Sequence, residues 1–306
     1  MSQVSGSANN TKRQSTFFTR FKKNYIGWIF ILLSVLGIGL FYFYPMVQAF
    51  LLSLKSGMGA NLEYVGFDNY ARLFGDPTFI TSLTNTFIYL LVQVPVMIIL
   101  ALFFSVLLND PKLKFRGFFR TAIFLPAVTS LVAYAVIFKY LFGNDGLVNE
   151  LLLGMNLIDT PLNWLSDPFL AKITIIIAIT WRWTGYNMIF YLSALQNVDK
   201  SMYEAARIDG ASSIQQFFFI TIPMLKPIIL FTSIVSTIGT LQLFDEVMNI
   251  TNGGPGNSTL SISMYIYNLS FEYTPDFGYA ATVSYVIVIL VVILSFIQFR
   301  VAGDRD

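Results

Sequence analysis

Residues 80–108 read ITSLTNTFIYLLVQVPVMIILALFFSVLL, a run without a single Asp, Glu, Lys or Arg. About 20 helical residues suffice to cross a hydrocarbon core roughly 30 Å thick, so this run predicts a membrane-spanning helix. Five further apolar segments flank it, at about 26–52, 119–141, 170–195, 222–247 and 280–299. Because these are continuous apolar runs and not short alternating strands, we expect an all-α integral membrane protein with six transmembrane helices.

The composition of the whole chain agrees with a membrane protein. Of its 306 residues, 55% are hydrophobic and 12% are charged, and the mean hydropathy is +0.65. Soluble domains are about 45–50% apolar and about 25% charged. We therefore exclude a soluble, disordered, coiled-coil or solenoid protein.

The residue types that the chain lacks limit its chemistry. It has no Cys and no His, which excludes thiol catalysis and thiolate-bound metal and removes the commonest general base near neutral pH. No G-x4-G-K-[ST] motif occurs, so we expect no ATP binding through a phosphate-binding loop. The net charge of +2 is too small to indicate nucleic acid as a partner. We predict a protein that is not an enzyme and that needs no cofactor and no metal.

The positions of the basic residues predict the orientation in the membrane. With the N-terminus inside, fourteen Lys and Arg fall in inner segments and four in outer ones, while Arg182 lies within the fourth span. Cytoplasmic segments carry the excess of Lys and Arg. We therefore expect both termini to be cytoplasmic, with residues 1–24 as a polar cytoplasmic tail and residues 25–303 as one membrane domain.

The cytoplasmic segment between spans four and five carries the most specific pattern, YEAARIDGAS at residues 203–212. Asp199 can cap a short helix, and Glu204 lies early in it, where the helix dipole favours an acid. Gly210 can adopt the left-handed conformation that ends a helix. We expect a second amphipathic helix at 212–219, leading to Pro223 at the start of span five.

This segment resembles the E-A-A-x3-G-x9-I-x-L-P signature of the membrane subunits of binding-protein-dependent ABC importers. The matching positions are Glu204, Ala205, Ala206, Gly210, Ile220 and Pro223. Ile222 stands where the family usually has Leu. Leu125-Pro126 and the glycine-rich residues 251–259 are similar to the carbohydrate branch, the maltose-type permease family, and the resemblance covers about residues 25–303. A simple connector would not be expected to match six positions at fixed spacing.

The resemblance implies a type I ABC importer permease fold and a coupling helix at 199–210 that transmits motion from the ATPase subunits. The residues implied in ATPase coupling are Glu204, Ala205, Ala206, Asp209, Gly210 and Pro223. The implied partners are a second permease subunit, forming a heterodimer, two ATPase subunits, an extracytoplasmic sugar-binding protein and the sugar itself. The implied location is the bacterial or archaeal cell membrane.

A sugar site needs aromatic side chains beside amide, carboxylate and hydroxyl groups, and spans four and five contain such residues. The candidates for the substrate pathway are Gln242, Leu243, Phe244, Asp245, Arg182, Tyr186 and Asn187. Further members of the same cluster are Trp181, Trp183, Glu246, Met248 and Asn249, and span six adds Ser284 and Tyr285. For the Trp and Tyr side chains, packing against lipid or neighbouring helices is the alternative.

Arg182 and the glycine-rich outer segment are each open to two interpretations. An intramembrane charge usually faces a bundle interior or an aqueous cavity. We expect Arg182 to pair with Asp245 or Glu246 and to border the solute path, or else to form a structural ion pair or a contact at the outer interface. Gly253, Gly254 and Pro255 are expected to unwind the end of span five into an outer loop, which is either a simple turn or a contact for the binding protein.

Two other functional classes remain to be compared with an ABC importer. An ion-gradient-driven secondary transporter would explain the composition and Arg182, but not the segment from Glu204 to Pro223; such proteins also commonly show inverted repeats, and none is apparent. A membrane-embedded enzyme is disfavoured by the absence of His and Cys. The sequence does not indicate which sugar is carried.

Overall fold

The computed structural model describes residues 25–58 and 61–302, and the chain divides into two units with a boundary after Leu51. The predicted tail 1–24 lies outside the described residues. Among the described residues, the first unit contains α1 (Tyr25–Ile38), a π-helical turn π1 (Gly39–Phe43) and most of α2 (Tyr44–Ser53). A helix over the first predicted span is thus confirmed. Its large apolar side chains from Ile29 to Leu51 are exposed, as expected of side chains that face lipid.

The second unit begins with a hairpin that the sequence did not predict. Its elements are β1 (Lys55–Met58), β2 (Asn61–Tyr64), which pairs antiparallel with β1, and α3 (Asp68–Leu73). The side-chain amide of Asn69 donates to the carbonyl oxygens of Ser53 at 3.0 Å and Lys55 at 2.8 Å. The Thr282 hydroxyl donates to the same Ser53 carbonyl at 3.1 Å. These bonds satisfy backbone acceptors where α2 ends and fix the hairpin beside the last helix.

The rest of the second unit is helical. Its first half contains α4 (Pro77–Asn109), α5 (Arg116–Val128), α6 (Leu131–Leu141), α7 (Leu147–Gly154), α8 (Pro168–Leu195) and α9 (Lys200–Ile208). Its second half contains α10 (Ser213–Gln216), π2 (Phe217–Thr221), α11 (Ile222–Leu241), α12 (Asp245–Ile250), α13 (Ile262–Tyr267), π3 (Asn268–Glu272) and α14 (Phe277–Ala302). Across the described ranges, four helical stretches are long and apolar enough to cross a membrane, or five if the bent pair α5 and α6 counts as one.

The two longest helices begin in the same way. Asp76 caps α4 and Asp167 caps α8, each accepting hydrogen bonds from two backbone N–H groups of the first turn, and each is followed by proline. An acidic N-cap satisfies orphan donors, and proline at the first helical position has the right φ without needing a donor. Aspartate-proline pairs therefore set the starts of both helices.

Helix α8 corresponds to the predicted fourth span but differs in character from the other long helices. It packs against α4, α5 and α11, and it is not among the helices apolar enough to count as a spanning candidate. Its polar residues Thr174, Arg182 and Asn187 are buried. The helix is thus surrounded by protein over much of its length, which explains why it tolerates polar groups that lipid would exclude.

The sequence predicted one continuous helix over 119–141, and this was wrong. The chain forms α5 and α6, whose axes differ by 103°. The backbone at Thr129 is extended, and the Thr129 hydroxyl donates to the carbonyl of Leu125 at 2.9 Å. Pro126 cannot donate a backbone hydrogen bond within α5. Both features favour ending the helix here, although the apolar run continues.

The prediction of one helix over 222–247 was also wrong. Helix α11 is preceded without a break by α10 and π2, so no separate amphipathic helix ends at residue 219, and α11 itself ends at Leu241. Three residues then separate α11 from α12. The hydroxyls of Ser261 and Ser263 donate to the carbonyls of Leu243 and Leu241. These serines satisfy acceptors that the broken helix leaves free, and this compensation is what permits the break.

Candidate functional site

Helix α9 follows α8 and precedes α10 along the chain, and it is exposed over most of its surface. The predicted cap is confirmed, since Asp199 accepts a hydrogen bond from the backbone N–H of Ser201 at 2.9 Å. Hydrogen bonds from the backbone and side chain of Ser201 lower the pKa of Asp199. Glu204, Ala205 and Asp209 are exposed, and Ala206 is half-buried.

The turn after α9 has the geometry expected for Gly210. Its φ is +80°, in the left-handed region that non-glycine residues rarely adopt. The Gly210 N–H donates to the carbonyl of Arg207 at 3.1 Å, and the Ala211 N–H donates to that of Ala206 at 2.8 Å. The last carbonyls of α9 are therefore satisfied by a glycine-dependent cap.

One side-chain contact links α9 to the helical segment that follows it. The hydroxyl groups of Tyr203 and Thr221 are 3.0 Å apart. Ser212 and Gln215 form a reciprocal capping box at the start of α10. Pro223 lies exposed in the first turn of α11. From Ser213 onward the chain is helical without interruption through α10, π2 and α11.

A cavity of about 220 Å³ lies among α4, α8 and α11. Its lining residues are Gln93, Met97, Ile179, Trp183, Tyr186, Asn187, Val235, Ser236, Gly239, Thr240 and Leu243. The Thr240 hydroxyl donates to Gln93 Oε1 at 3.0 Å, and Asn187 Nδ2 donates to the backbone carbonyl of Trp183 at 3.0 Å. The rings of Trp183 and Tyr186 meet edge to face at 5.6 Å. Amide, hydroxyl and aromatic groups therefore share one small cavity, the mixture that a sugar requires.

The structure brings part of the predicted pathway cluster to this cavity. Leu243, Tyr186 and Asn187 line it, whereas Arg182, Gln242, Phe244 and Asp245 lie outside its lining. The other predicted members outside the lining are Trp181, Glu246, Met248, Asn249, Ser284 and Tyr285.

Sequence reasoning missed the polar residues on the cavity's other walls. Gln93 could have been identified from the sequence, because its polar amide lies inside an apolar run that has no charged residue. Ser236 and Thr240 are spaced to share one face of α11, and that spacing could also have identified them.

Arg182 is buried and pairs with Glu246, one of the two partners that the sequence proposed. Its Nη1 lies 3.9 Å from Glu246 Oε1, and the two residues are 8% and 6% exposed. The other proposed partner, Asp245, is exposed. The guanidinium carbon lies 5.4 Å from the centroid of the Tyr134 ring and 5.6 Å from that of Trp183.

The glycine-rich loop does not itself unwind the end of α11, because α11 already ends at Leu241 and α12 intervenes. Gly253 is buried with φ +77°, and Gly254 and Pro255 are half-buried. The Thr259 hydroxyl donates to the Gly254 carbonyl at 2.8 Å, and Tyr89 donates to the Thr259 carbonyl at 3.0 Å. The loop is therefore fixed to α4 and is not a free turn.

A polar network at the starts of α4 and α14 was not predicted. The hydroxyls of Tyr265 and Tyr279 both donate to Asp76 Oδ2. Burial by itself would raise the pKa of Asp76, but these hydrogen bonds and those from the backbone of Phe79 and Thr78 lower it. The carboxylate thus connects α4, α13 and α14 at one end of the unit.

Comparisons with known proteins identify relatives over nearly the whole chain. The lactose transport system permease protein LacF of Rhizobium radiobacter is 58% identical over 281 residues, covering 91% of this chain and 94% of that protein. The arabinooligosaccharides transport system permease protein AraP of Halalkalibacterium halodurans is 35% identical over 300 residues, covering 96% and 93%.

Solved structures show the same fold. One is a bacterial ABC transporter involved in the import of the acidic polysaccharide alginate, with a TM-score of 0.79 at 22% identity, covering 93% of this chain and 97% of that chain. A second is the alginate transporter in complex with an alginate pentasaccharide-bound periplasmic protein, with a TM-score of 0.81 at 21% identity, covering 94% and 97%. Residues 71–304 match the family model described as binding-protein-dependent transport system inner membrane component. The chain therefore belongs to the family of inner membrane components of binding-protein-dependent transport systems.

Proposed function

We propose that the protein is the membrane-spanning subunit of an ATP-driven importer for a carbohydrate that an extracytoplasmic binding protein delivers. Membership of the family and the relatives named as sugar permeases support this function over an ion-gradient-driven secondary transporter. The observation that carries the proposal is the exposed helix α9, capped at both ends and placed between α8 and α10 in the sequence, in a chain of this family. The subunit is a transport component and not an enzyme.

Lactose is the first solute to test. The relative at 58% identity is named as a lactose permease protein, and the cavity combines aromatic faces with amide and hydroxyl groups. Sugar rings present apolar faces beside many hydroxyls, so such a cavity suits a mono-, di- or oligosaccharide.

The proposed topology has six spans with both termini in the cytoplasm, a cytoplasmic tail at 1–24 and a permease domain at 25–303. The four or five apolar candidates supply most of the spans, and α8 completes the set as the helix that the others surround. The excess of Lys and Arg in the inner segments supports the orientation.

ATPase coupling is assigned to α9 and its flanks. An exposed helix end with an apolar residue such as Ile208, which is 86% exposed, suits a protein partner better than water. The residues proposed for this role are Glu204, Ala205, Ala206, Asp209, Gly210 and Pro223. Two ATPase subunits would bind one such helix from this chain and one from a second permease subunit, in a heterodimer within the bacterial or archaeal cell membrane.

The solute pathway is assigned to the cavity and its surroundings. Tyr186, Asn187 and Leu243 contribute to its wall, and Gln242, Phe244, Asp245 and Arg182 lie beyond that wall. The fixed outer loop with Gly253, Gly254 and Pro255 is proposed as the contact for the binding protein. A loop held to α4 by several hydrogen bonds presents a rigid surface, which reduces the entropy lost on docking.

Reconstitution into proteoliposomes tests the function. The protein, its partner permease, the ATPase and the binding protein are combined, and uptake of radiolabelled lactose and an arabino-oligosaccharide is measured. We expect uptake that requires both ATP and the binding protein and that persists when ionophores collapse ion gradients. Uptake that needs an ion gradient and proceeds without ATP would contradict the proposal and favour a secondary transporter.

A further inference from the structure

The Arg182 guanidinium lies between two aromatic rings and beside one carboxylate. The rings belong to Tyr134 on α6 and Trp183 on α8, and the carboxylate belongs to Glu246 on α12. Tyr134 is completely buried, and its ring also stacks on Trp181 at 6.0 Å. Arg182 thus contacts residues of α6, α8 and α12.

Stacking and charge, more than hydrogen bonds, hold this guanidinium. Within the described residues, Arg182 Nε and Nη1 are buried and make no hydrogen bond, and the 3.9 Å separation from Glu246 is longer than a hydrogen bond. A cation over a ring is attracted to its face, and the attraction is stronger when both are removed from water. The Trp183 side chain also hydrogen-bonds the Glu246 carboxylate, so the orientation of its ring depends on both members of the pair.

The pair connects two walls of the cavity. Trp183, next to Arg182 in sequence, lines the cavity and meets Tyr186. Leu243 lies in the break after α11, three residues before Glu246, and also lines the cavity. An attraction between Arg182 and Glu246 thus fixes the distance between the aromatic wall and the chain at the helix break.

We propose that Arg182 and Glu246 are positioning residues that set the width of the solute cavity without touching the solute. The inference deepens the proposed function and rests on it. Arg182 does not line the cavity, and Glu246 balances its charge, so direct binding of a solute group is the weaker explanation. A buried ion pair often adds little stability compared with an apolar pair of similar volume. The role of this pair is therefore to position the cavity walls and not to stabilise the fold.

The test replaces both charges together. Arg182→Met combined with Glu246→Met keeps the volume and leaves no unpaired buried charge, so the protein should fold. In the reconstituted system with lactose, the apparent KM should rise by up to about tenfold, the limit set by the full free energy of a desolvated cation–π contact. The maximal rate and the ATP hydrolysed per lactose should change little.

A second ion pair provides the matched control. Arg72 Nη1 and Asp276 Oδ2 are 2.7 Å apart and partly exposed, Arg72 lies over the ring of Tyr279, and neither residue lines the cavity. Arg72→Gln combined with Asp276→Asn should leave the KM unchanged. An equal rise in KM in both double variants would overturn the positioning role, because it would reflect a general loss of packing.

A spectroscopic measurement keeps the proposal testable without transport. In a variant that retains Trp183 as its single tryptophan, Arg182→Lys preserves the charge next to Glu246 but removes the planar guanidinium. The emission maximum of Trp183 should shift, and the melting temperature should stay close to that of the parent. An unchanged emission maximum, or an unchanged KM in the double-Met variant, would contradict the proposal. Absence of ATP-dependent sugar uptake by the wild type would instead refute the proposed function.

Discussion

Gly185 on α8 packs directly against the backbone of α5, so a single added methyl group tests the packing of the fold. A Cβ at Gly185 would lie 2.0 Å from the carbonyl oxygen of Ile123 and 2.9 Å from Cα of Phe124, both backbone atoms. Side-chain rotation cannot relieve such a contact, so the helices would have to separate by about 1 Å or more. Overpacking of this kind costs about 1–3 kcal/mol.

The expected direction of the change in stability on substitution by alanine distinguishes Gly185 from an ordinary helical glycine. Replacing an exposed helical glycine by alanine stabilises by about 0.5–1 kcal/mol. Gly117, on the partner helix α5, is the matched control, because a Cβ added there would meet no atom within 4 Å. Gly185→Ala should therefore lower the melting temperature in detergent by several degrees, followed by tryptophan fluorescence, whereas Gly117→Ala should raise or preserve it.

The same displacement should reach the cavity. Gly185 is flanked in sequence by Thr184 and by Tyr186, which lines the cavity. Gly185→Ala should consequently raise the apparent KM for lactose as well as lower stability. Equal or higher melting temperatures for Gly185→Ala than for the wild type would refute the close packing of α5 on α8.

Three further predictions concern coupling, the cavity and pH. Gly210→Val should keep the protein in the membrane but uncouple ATP hydrolysis from uptake, because a φ of +80° costs a non-glycine residue about 1–2 kcal/mol. Gly210→Asn should retain more uptake. Equal uptake by the two variants would contradict a role for the turn. Thr240→Val should raise the KM for lactose several-fold by removing the donor to Gln93, whereas an unchanged KM would place the solute elsewhere. The pKa of Asp76 is lowered in the folded protein. The ionised carboxylate therefore stabilises the fold above its unfolded pKa of about 3.9, and this stabilisation is lost as the pH falls through the folded pKa. Asp76→Asn should make the melting temperature depend less on pH in the acid range, and an unaltered dependence would exclude this carboxylate as its cause.

Sequence predicted the location of the helices better than their continuity. Apolar runs and charge-free length placed helices over all six predicted spans, because burial in lipid requires such runs. The same signal could not show the breaks at Thr129 and Gln242. The break at Thr129 depends on a local hydroxyl, and the break at Gln242 depends on donors distant in sequence, such as Ser261, which donates to Leu243. Hydropathy contains no information about such hydrogen bonds.

The candidate site was predictable where local rules decide its geometry. Asp199 as a cap and Gly210 as a left-handed turn follow from the residue types themselves. The sequence offered Asp245 and Glu246 as partners of Arg182. Only the packed structure shows that Glu246 is buried beside Arg182 while Asp245 is exposed. The contribution of Gln93 required knowing that α4 faces α11, which no single stretch of sequence specifies.

A single-cysteine experiment tests the central claim, that α9 binds the ATPase on the cytoplasmic side. The chain contains no cysteine, so Ala205→Cys introduces a unique thiol on an exposed position, and Asp159→Cys provides an exposed control between α7 and α8. In the assembled transporter we predict that Ala205→Cys cross-links to the ATPase subunit and resists a membrane-impermeant thiol reagent added to intact cells, while Asp159→Cys reacts with that reagent and forms no such cross-link. Reaction of Ala205→Cys from outside the cell, or no cross-link to the ATPase in any nucleotide state, would contradict the account.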